Sequence, residues 1–266
     1  WKVHSKATQV FRREGAEDIS YLHLGTRNYH PTTARQYTDL GLLTRDQGLG
    51  LEVARFFGAL VKHRRPKDFE ELLVAPVNMH RKTLALIRQE TGLQRQGVRG
   101  HIIAKMNSLV DKETISALYE ASRAGVRVDL VVRGICCLRP QIRGLSENIR
   151  VLSIIDRFLE HSRAYYFRAG GEGKVYLSSA DWMPRNFFTR LELGFPVNDP
   201  ALKRYVREVV LGNALNDNVK AWHLRPDGSY HKPRLPAEAR RLRSQFVLES
   251  LAQNHYKDTI LAARGA

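Results

Sequence analysis

Residues 100–132 read GHIIAKMNSLVDKETISALYEASRAGVRVDLVV, and this stretch decides the fold class. Gly100 to Asn107 is a short apolar run of strand length. Asp111 can accept from the free N–H groups of a following turn, so it caps a helix over Glu113 to Arg123. Gly125 ends that helix, because a left-handed residue there carries no Cβ penalty. Val126 to Val132 is almost continuously apolar, as expected of a central strand in a parallel sheet. Strand, helix and strand in succession predict an α/β protein with a parallel or mixed sheet.

Further strands are read at Leu72 to Ala75, Asn148 to Ile155, Arg163 to Phe167, Lys174 to Ser179 and Glu192 to Val197. Helices are expected from an Asn78 cap to about Thr91, over Ala201 to Asn213, and over Pro236 to Gln253. Arg225-Pro226-Asp227-Gly228 is a turn. Gly170-Gly171-Glu172-Gly173 reads as a hairpin turn rather than a phosphate cradle, and no P-loop occurs. Upstream, Ala7 to Arg12 and Ile19 to Leu24 form a hairpin about Glu14-Gly15. Val53, Phe56, Phe57 and Leu60 recur at helical spacing, so Leu49 to Lys62 is an amphipathic helix. The basic, proline-containing His63-Arg64-Arg65-Pro66-Lys67 divides the chain into domains at 1–70 and 71–266. A catalytic motif lies three residues from Trp1 with no layer before it, so the chain is expected to be the C-terminal part of a longer protein.

The 266 residues carry 43 Lys and Arg against 27 Asp and Glu, a net charge of +16. Such a surface favours polyanions: nucleic acid, polyphosphate, nucleotides or anionic lipid. Cys136 and Cys137 are adjacent, which disfavours a mutual disulfide. They read as buried thiols in a reducing compartment. No secretory signal and no membrane-spanning run is present. A soluble, cytosolic protein is expected, with loose membrane association through the basic surface left open.

Two half-sites share one grammar. His4-Ser5-Lys6 precedes Gly25-Thr26-Arg27-Asn28, and His161-Ser162-Arg163 precedes Ser178-Ser179-Ala180-Asp181. Facing each other, they would set two imidazoles and two cations around one phosphoryl group. One imidazole can attack phosphorus while the other moves a proton. Lys6 and Arg163 would neutralise the equatorial oxygens, since phosphoryl transfer asks mainly for positioning and charge stabilisation. Asn28 and Asp181 would hold the imidazole tautomers. Arg133 follows a buried strand, where α/β proteins place ligand contacts. Tyr37 could stack on a base, and Lys105 ends a strand as an anion contact. His23, His63, His80, His101, His223, His231 and His255 lack such company and read as ordinary. His30 lies close enough to the first half-site to shape it.

The chain resembles the C-terminal part of the bacterial polyphosphate kinase family. The stretches that carry the resemblance are VHSKATQVFRREG, YLHLGTRNYHPTTARQYTDLGLLT, AKMNSLVDKETISALYEASRAGVRVDLVVRGICCLRP, NIRVLSIIDRFLEHSRAYYF and VYLSSADWMPRNFFTRLELGFPV. The resemblance implies a phospholipase D-like fold: a mixed sheet flanked by helices, with a complete second domain and the remainder of a first. It implies that His4 is phosphorylated, that His161 is the second catalytic histidine, and that Tyr37 and Arg133 contact ATP. It also implies Mg²⁺, a homo-oligomer, and reversible transfer between ATP or ADP and inorganic polyphosphate, with no dedicated nucleic-acid partner. The family's earlier segments carry phosphate- and metal-site residues, so no magnesium ligands are assigned. Arg163 stands where phospholipase D-like half-sites carry lysine, which argues against lipid hydrolysis. The rivals are a phospholipase D-like phosphodiesterase and a catalytically inactive polyanion-binding fragment.

Overall fold

The computed structural model describes residues 2–264, and side chains as far as residue 255. The first part holds β1 (Lys2–Val3), β2 (Ala7–Glu14), β3 (Glu17–Gly25), α1 (Pro31–Ala34), β4 (Tyr37–Thr38), β5 (Gly41–Thr44) and α2 (Gln47–Val61). Then follow β6 (Leu73–Ala75), α3 (Met79–Arg95), β7 (His101–Met106), α4 (Lys112–Arg123), β8 (Arg127–Val132), β9 (Ile149–Ile154), β10 (Leu159–Glu160) and β11 (Arg163–Phe167). The last part holds β12 (Lys174–Ser178), β13 (Arg190–Pro196), α5 (Pro200–Arg204), α6 (Gly212–Asn216), β14 (Ala221–Leu224), β15 (Tyr230–His231) and α7 (Ser244–Arg264). Two π-helical segments occur, Arg185–Thr189 before β13 and Tyr205–Leu211 between α5 and α6.

Ten strands make one mixed sheet in the order β1-β13-β12-β11-β7-β8-β9-β14-β15, with β6 also on β13. β7, β8 and β9 run parallel, as their apolar runs predict. The hairpin of β11 and β12 is antiparallel and closes through the glycine-rich turn. β2, β3 and β5 form a separate antiparallel sheet in which β2 is an outer strand. β4 and β10 pair over two residues each and tie the first part to the second.

The large sheet buries both faces, and side chains alternate between them. Ile102, Ala104, Met106, Tyr165 and Phe167 pack with α3 and α4 in one cluster. Ile103, Ala164 and Tyr166 point the other way and pack with Leu22, Leu24, Leu49, Val53 and Phe56. The buried side chains of β3 and α2 thus share a core with β6, β11 and β13. The approach of α2 to β3 is close: a Cβ on Gly50 would stand 2.8 Å from Ser20 Cβ.

Asp111 caps α4 as expected, accepting from Thr114 N at 2.9 Å. Three sequence readings are corrected. Asn78 does not cap α3. Its side chain accepts from Val74 N at 2.7 Å and donates to Phe69 O and Leu72 O, closing the preceding loop. The last helix begins at Ser244, not Pro236. Asn218 bonds Arg240 O and Leu242 N, and Asp217 accepts from Ser244 N, so these backbone groups are held outside a helix. The two cysteines are free but not both buried. Cys136 is half-buried, its thiol pushed up to about 11 by burial, and Cys137 is exposed.

Phe56 is fully buried in the shared core. Phe56→Ala should cost about 3–5 kcal/mol in urea denaturation. A loss near zero would mean that α2 is not held by this cluster.

Candidate active site

His4 follows β1, and its backbone N–H donates to Leu191 O on β13 at 2.8 Å. That contact brings the ring against β13, where Nδ1–H donates to Glu192 Oε2 at 2.8 Å. Glu192 is fully buried. A buried carboxylate needs donors, and it has them: Ser179 Oγ and Asn186 Nδ2, each at 2.5 Å, besides the imidazole. Arg190 Nη1 stands 4.0 Å from the same carboxylate.

His161 repeats the arrangement with a different partner. Its Nδ1–H donates to Asp39 Oδ1 at 2.8 Å. Asp39 also accepts from Thr26 Oγ1 at 3.1 Å and lies 3.4 Å from Arg27 Nε. With Nδ1 committed in both rings, Nε2 carries the lone pair. At His161 that nitrogen accepts from Arg163 Nη1 at 3.1 Å. Burial, above all, lowers the pKa of His161; the Asp39 hydrogen bond opposes this and Arg163 adds to it. The ring is therefore neutral at pH 7, and Tyr37 stands beside it at 4.9 Å between centroids.

Lys6 connects the two half-sites. Its ammonium donates to His4 O and is buried. Burial lowers its pKa to about 8; Glu192 and Asp39 raise it, and Arg163 and Arg190 press it down. The carboxylate partners of both imidazoles thus act on one lysine.

The other candidates take different places. Arg163 is 3% exposed and grips Asp181 through Nε at 3.1 Å and Nη2 at 3.2 Å. Its Nη1 also reaches His161 O at 2.8 Å and Thr26 O at 3.4 Å. Burial works to raise the Asp181 carboxyl, but the Arg163 guanidinium holds it below its ordinary value. Lys105 Nζ lies 2.8 Å from both Glu160 Oε2 and Ser162 Oγ. Arg133 Nε donates to Asn107 Oδ1 at 3.2 Å, and Asn107 N donates to Asp181. Asn28 is exposed and bonds neither imidazole, and Asp181 serves Arg163 rather than a ring. The tautomer-holding residues are Glu192 and Asp39 instead. Glu192 had one signal in the sequence, a charge inside the apolar run of β13; Asp39 had none.

A cavity of about 390 Å³ opens beside Tyr37, Asp39, Lys105, Glu160 and Ser162, and Gln245 of α7, which donates to Glu160 Oε1 at 2.6 Å, lines it too. Among the described residues no group of three or more His, Cys, Asp or Glu could hold a metal ion. The carboxylates nearest the imidazoles, Asp39, Glu160, Asp181 and Glu192, each already serve a cation or an imidazole. They do not fit the magnesium that the resemblance implies, for which no ligands in this chain are assigned.

The family models for polyphosphate kinase C-terminal domain 1 and domain 2 match residues 1–66 and 72–245. A polyphosphate kinase of Synechocystis sp. is 48% identical over 254 residues, which is 95% of this chain and 35% of that protein. Polyphosphate kinase 1 of Chlorobaculum tepidum is 54% identical over 229 residues, 86% of this chain and 33% of its own. The crystal structure of a polyphosphate kinase from Porphyromonas gingivalis superposes with a TM-score of 0.88 at 36% identity, covering 96% of this chain and 39% of that one. The chain thus spans about a third of the length of the curated relatives it matches.

Asp39→Asn removes the group that raises the His161 pKa. An NMR titration of the imidazole should find its midpoint moved further down. A midpoint that rises would show that Asp39 does not hold the ring.

Proposed function

The chain belongs to the polyphosphate kinase family, and from that premise we propose that it carries a reversible ATP:polyphosphate phosphotransferase site. The observation that supports this most is the pairing of each imidazole Nδ1 with a carboxylate, which leaves Nε2 as the reacting atom. His4 is the nucleophile. Its Nε2 attacks the γ-phosphorus of ATP, the bond from that phosphorus to the bridging oxygen breaks, and ADP leaves. The imidazole keeps its Nδ1 proton, and buried Glu192 offsets the positive charge that grows on the ring. A terminal oxygen of inorganic polyphosphate then attacks the phosphohistidine. The P–N bond breaks, His4 returns to its starting form, and the polymer is one unit longer. The reverse order makes ATP.

His161 is the proton partner. Its conjugate acid is disfavoured by burial, so it takes a proton only when negative charge arrives beside it. Lys6 supplies positive charge between the half-sites. Arg133 holds phosphate oxygens, and Arg163 keeps His161 and the Thr26 turn in place. Tyr37 and the cavity beside it receive the nucleoside. Cytoplasmic location and homo-oligomeric assembly belong to the same reading. Among the described residues no helix is long and apolar enough to cross a membrane.

Incubation of the protein with γ-³²P-ATP should leave acid-labile label on His4, and His4→Ala should reduce it to background. Undiminished label in that variant would assign the nucleophile elsewhere. Lys6 gives a second test. It is charged below its pKa of about 8 and loses its proton above it. Nucleotide binding should weaken as pH rises through about 8, and Lys6→Arg should flatten that step. A profile indifferent to Lys6→Arg would remove Lys6 from phosphate binding.

A further inference from the structure

The helix after β13 borders two cavities. Tyr205, Val210 and Ala214 line the one beside Tyr37. Lys203, Arg204 and Arg207 line a second, of about 380 Å³, together with Tyr166 and the Gly171–Gly173 turn. None of these three cations lies within 4 Å of a carboxylate oxygen among the described residues. Glu172, within the glycine turn, and Glu208 line the cavity as well and pair with none of them. Three cations against two carboxylates leave the concavity with an excess of positive charge, and an anion relieves the repulsion among the cations.

The site is shaped as well as charged. Arg207 lies over the ring of Tyr166 at 5.1 Å to the centroid, and Tyr166 is itself buried. The stack fixes the plane of the guanidinium and leaves its N–H groups without a carboxylate. Arg207 sits on the π-helical segment Tyr205–Leu211. Such segments are rare and recur at functional sites. The glycine turn that lines the cavity has positive φ at Gly171 and Gly173; a Cβ at Gly171 would meet nothing within 4 Å, and one at Gly173 would touch the Tyr166 ring at 3.4 Å. The turn therefore leaves the cavity open.

We propose that Lys203, Arg204 and Arg207 form a second phosphoryl-binding site, for the end of a condensed phosphate chain or the terminal phosphate of a nucleotide. An arginine fork beside a lysine point charge suits phosphoryl oxygens. Tyr166 stands three residues along β11 from Arg163, about 10 Å at the usual strand rise, so this site does not share the imidazoles. It stands without the reading of His4 as nucleophile.

The test titrates the protein with inorganic tripolyphosphate and, separately, with ATP, following heat and amide hydrogen exchange. Wild type should show two binding events with tripolyphosphate, one of them protecting residues 169–175 and 200–211. Lys203→Gln with Arg204→Gln, which leaves the Tyr166 stack intact, should weaken that event at least tenfold and abolish the protection. The slope of log affinity against log salt should fall by roughly 1.4, at about 0.7 per phosphate contact. Labelling of His4 should be unchanged, which separates this outcome from failure of the phosphotransferase reading. Protection by tripolyphosphate alone identifies a condensed phosphate; protection by both ligands identifies any terminal phosphoryl group. Absence of protection in wild type, or two unaltered events in the variant, overturns the proposal. The wild-type exchange data decide the matter even if the variant fails to fold.

Discussion

A guanidinium that is almost wholly removed from water has to be met on every side. Arg163 is met by Asp181 with two parallel hydrogen bonds, by the carbonyl and Nε2 of His161, and by Thr26 O. Desolvating such a pair is expensive, and it persists only with good geometry and every donor satisfied. Thr26 belongs to the first part of the chain and Asp181 to the second, so one side chain fixes both parts relative to His161. Arg163 differs from an exposed phosphate clamp in that its charge is already spent on protein groups. What it provides is an ordered setting in which His161 has one tautomer and one orientation.

The same economy runs through the carboxylates. Glu192 is satisfied by one imidazole together with side-chain donors, whereas Asp39 takes His161 and Thr26 at Oδ1 and leaves Oδ2 without a hydrogen bond, 3.4 Å from Arg27 Nε. Glu160 is held by Lys105 and Gln245: burial alone would raise its pKa, and Lys105 brings it below the ordinary value. These groups sit where three strands end, β7, β11 and β13, close to the β4–β10 pairing. The sheet thus gathers these polar side chains at one rim; a second cluster, buried Asp129 with His101, Arg127 and Arg150, lies towards the other end of β7 and β8.

Much of this was legible in the sequence, for identifiable reasons. β11 runs over Arg163 to Phe167, the bounds read from the chain, because a continuous apolar run between polar residues has no other good use. α4 was legible through Asp111 and Gly125, since capping is local chemistry. The carboxylate partners of the histidines were not. Glu192 lies 188 positions from His4, and Asp39 lies 122 from His161, so only the folded chain brings them together. Strands of two residues, such as β4 and β10, are too short to show a period. The reading of 236–253 as helix holds from Ser244 and fails before it, because Asn218 and Asp217 offer the backbone there better partners than its own next turn.

The outer strand of the small sheet has a consequence for how the molecule behaves in company. Among the described residues β2 shows Val10 and Phe11 to solvent and pairs with β3 along one side alone. A strand of that length with an uncovered backbone ladder is a template on which other chains can align and stack. Arg12 and Arg13, both largely exposed, follow directly, 3.6 Å from Glu14 and 3.9 Å from Asp18, and charged side chains along an edge discourage pairing with a second strand. Charge along that margin opposes stacking, and high ionic strength, by screening it, weakens the opposition.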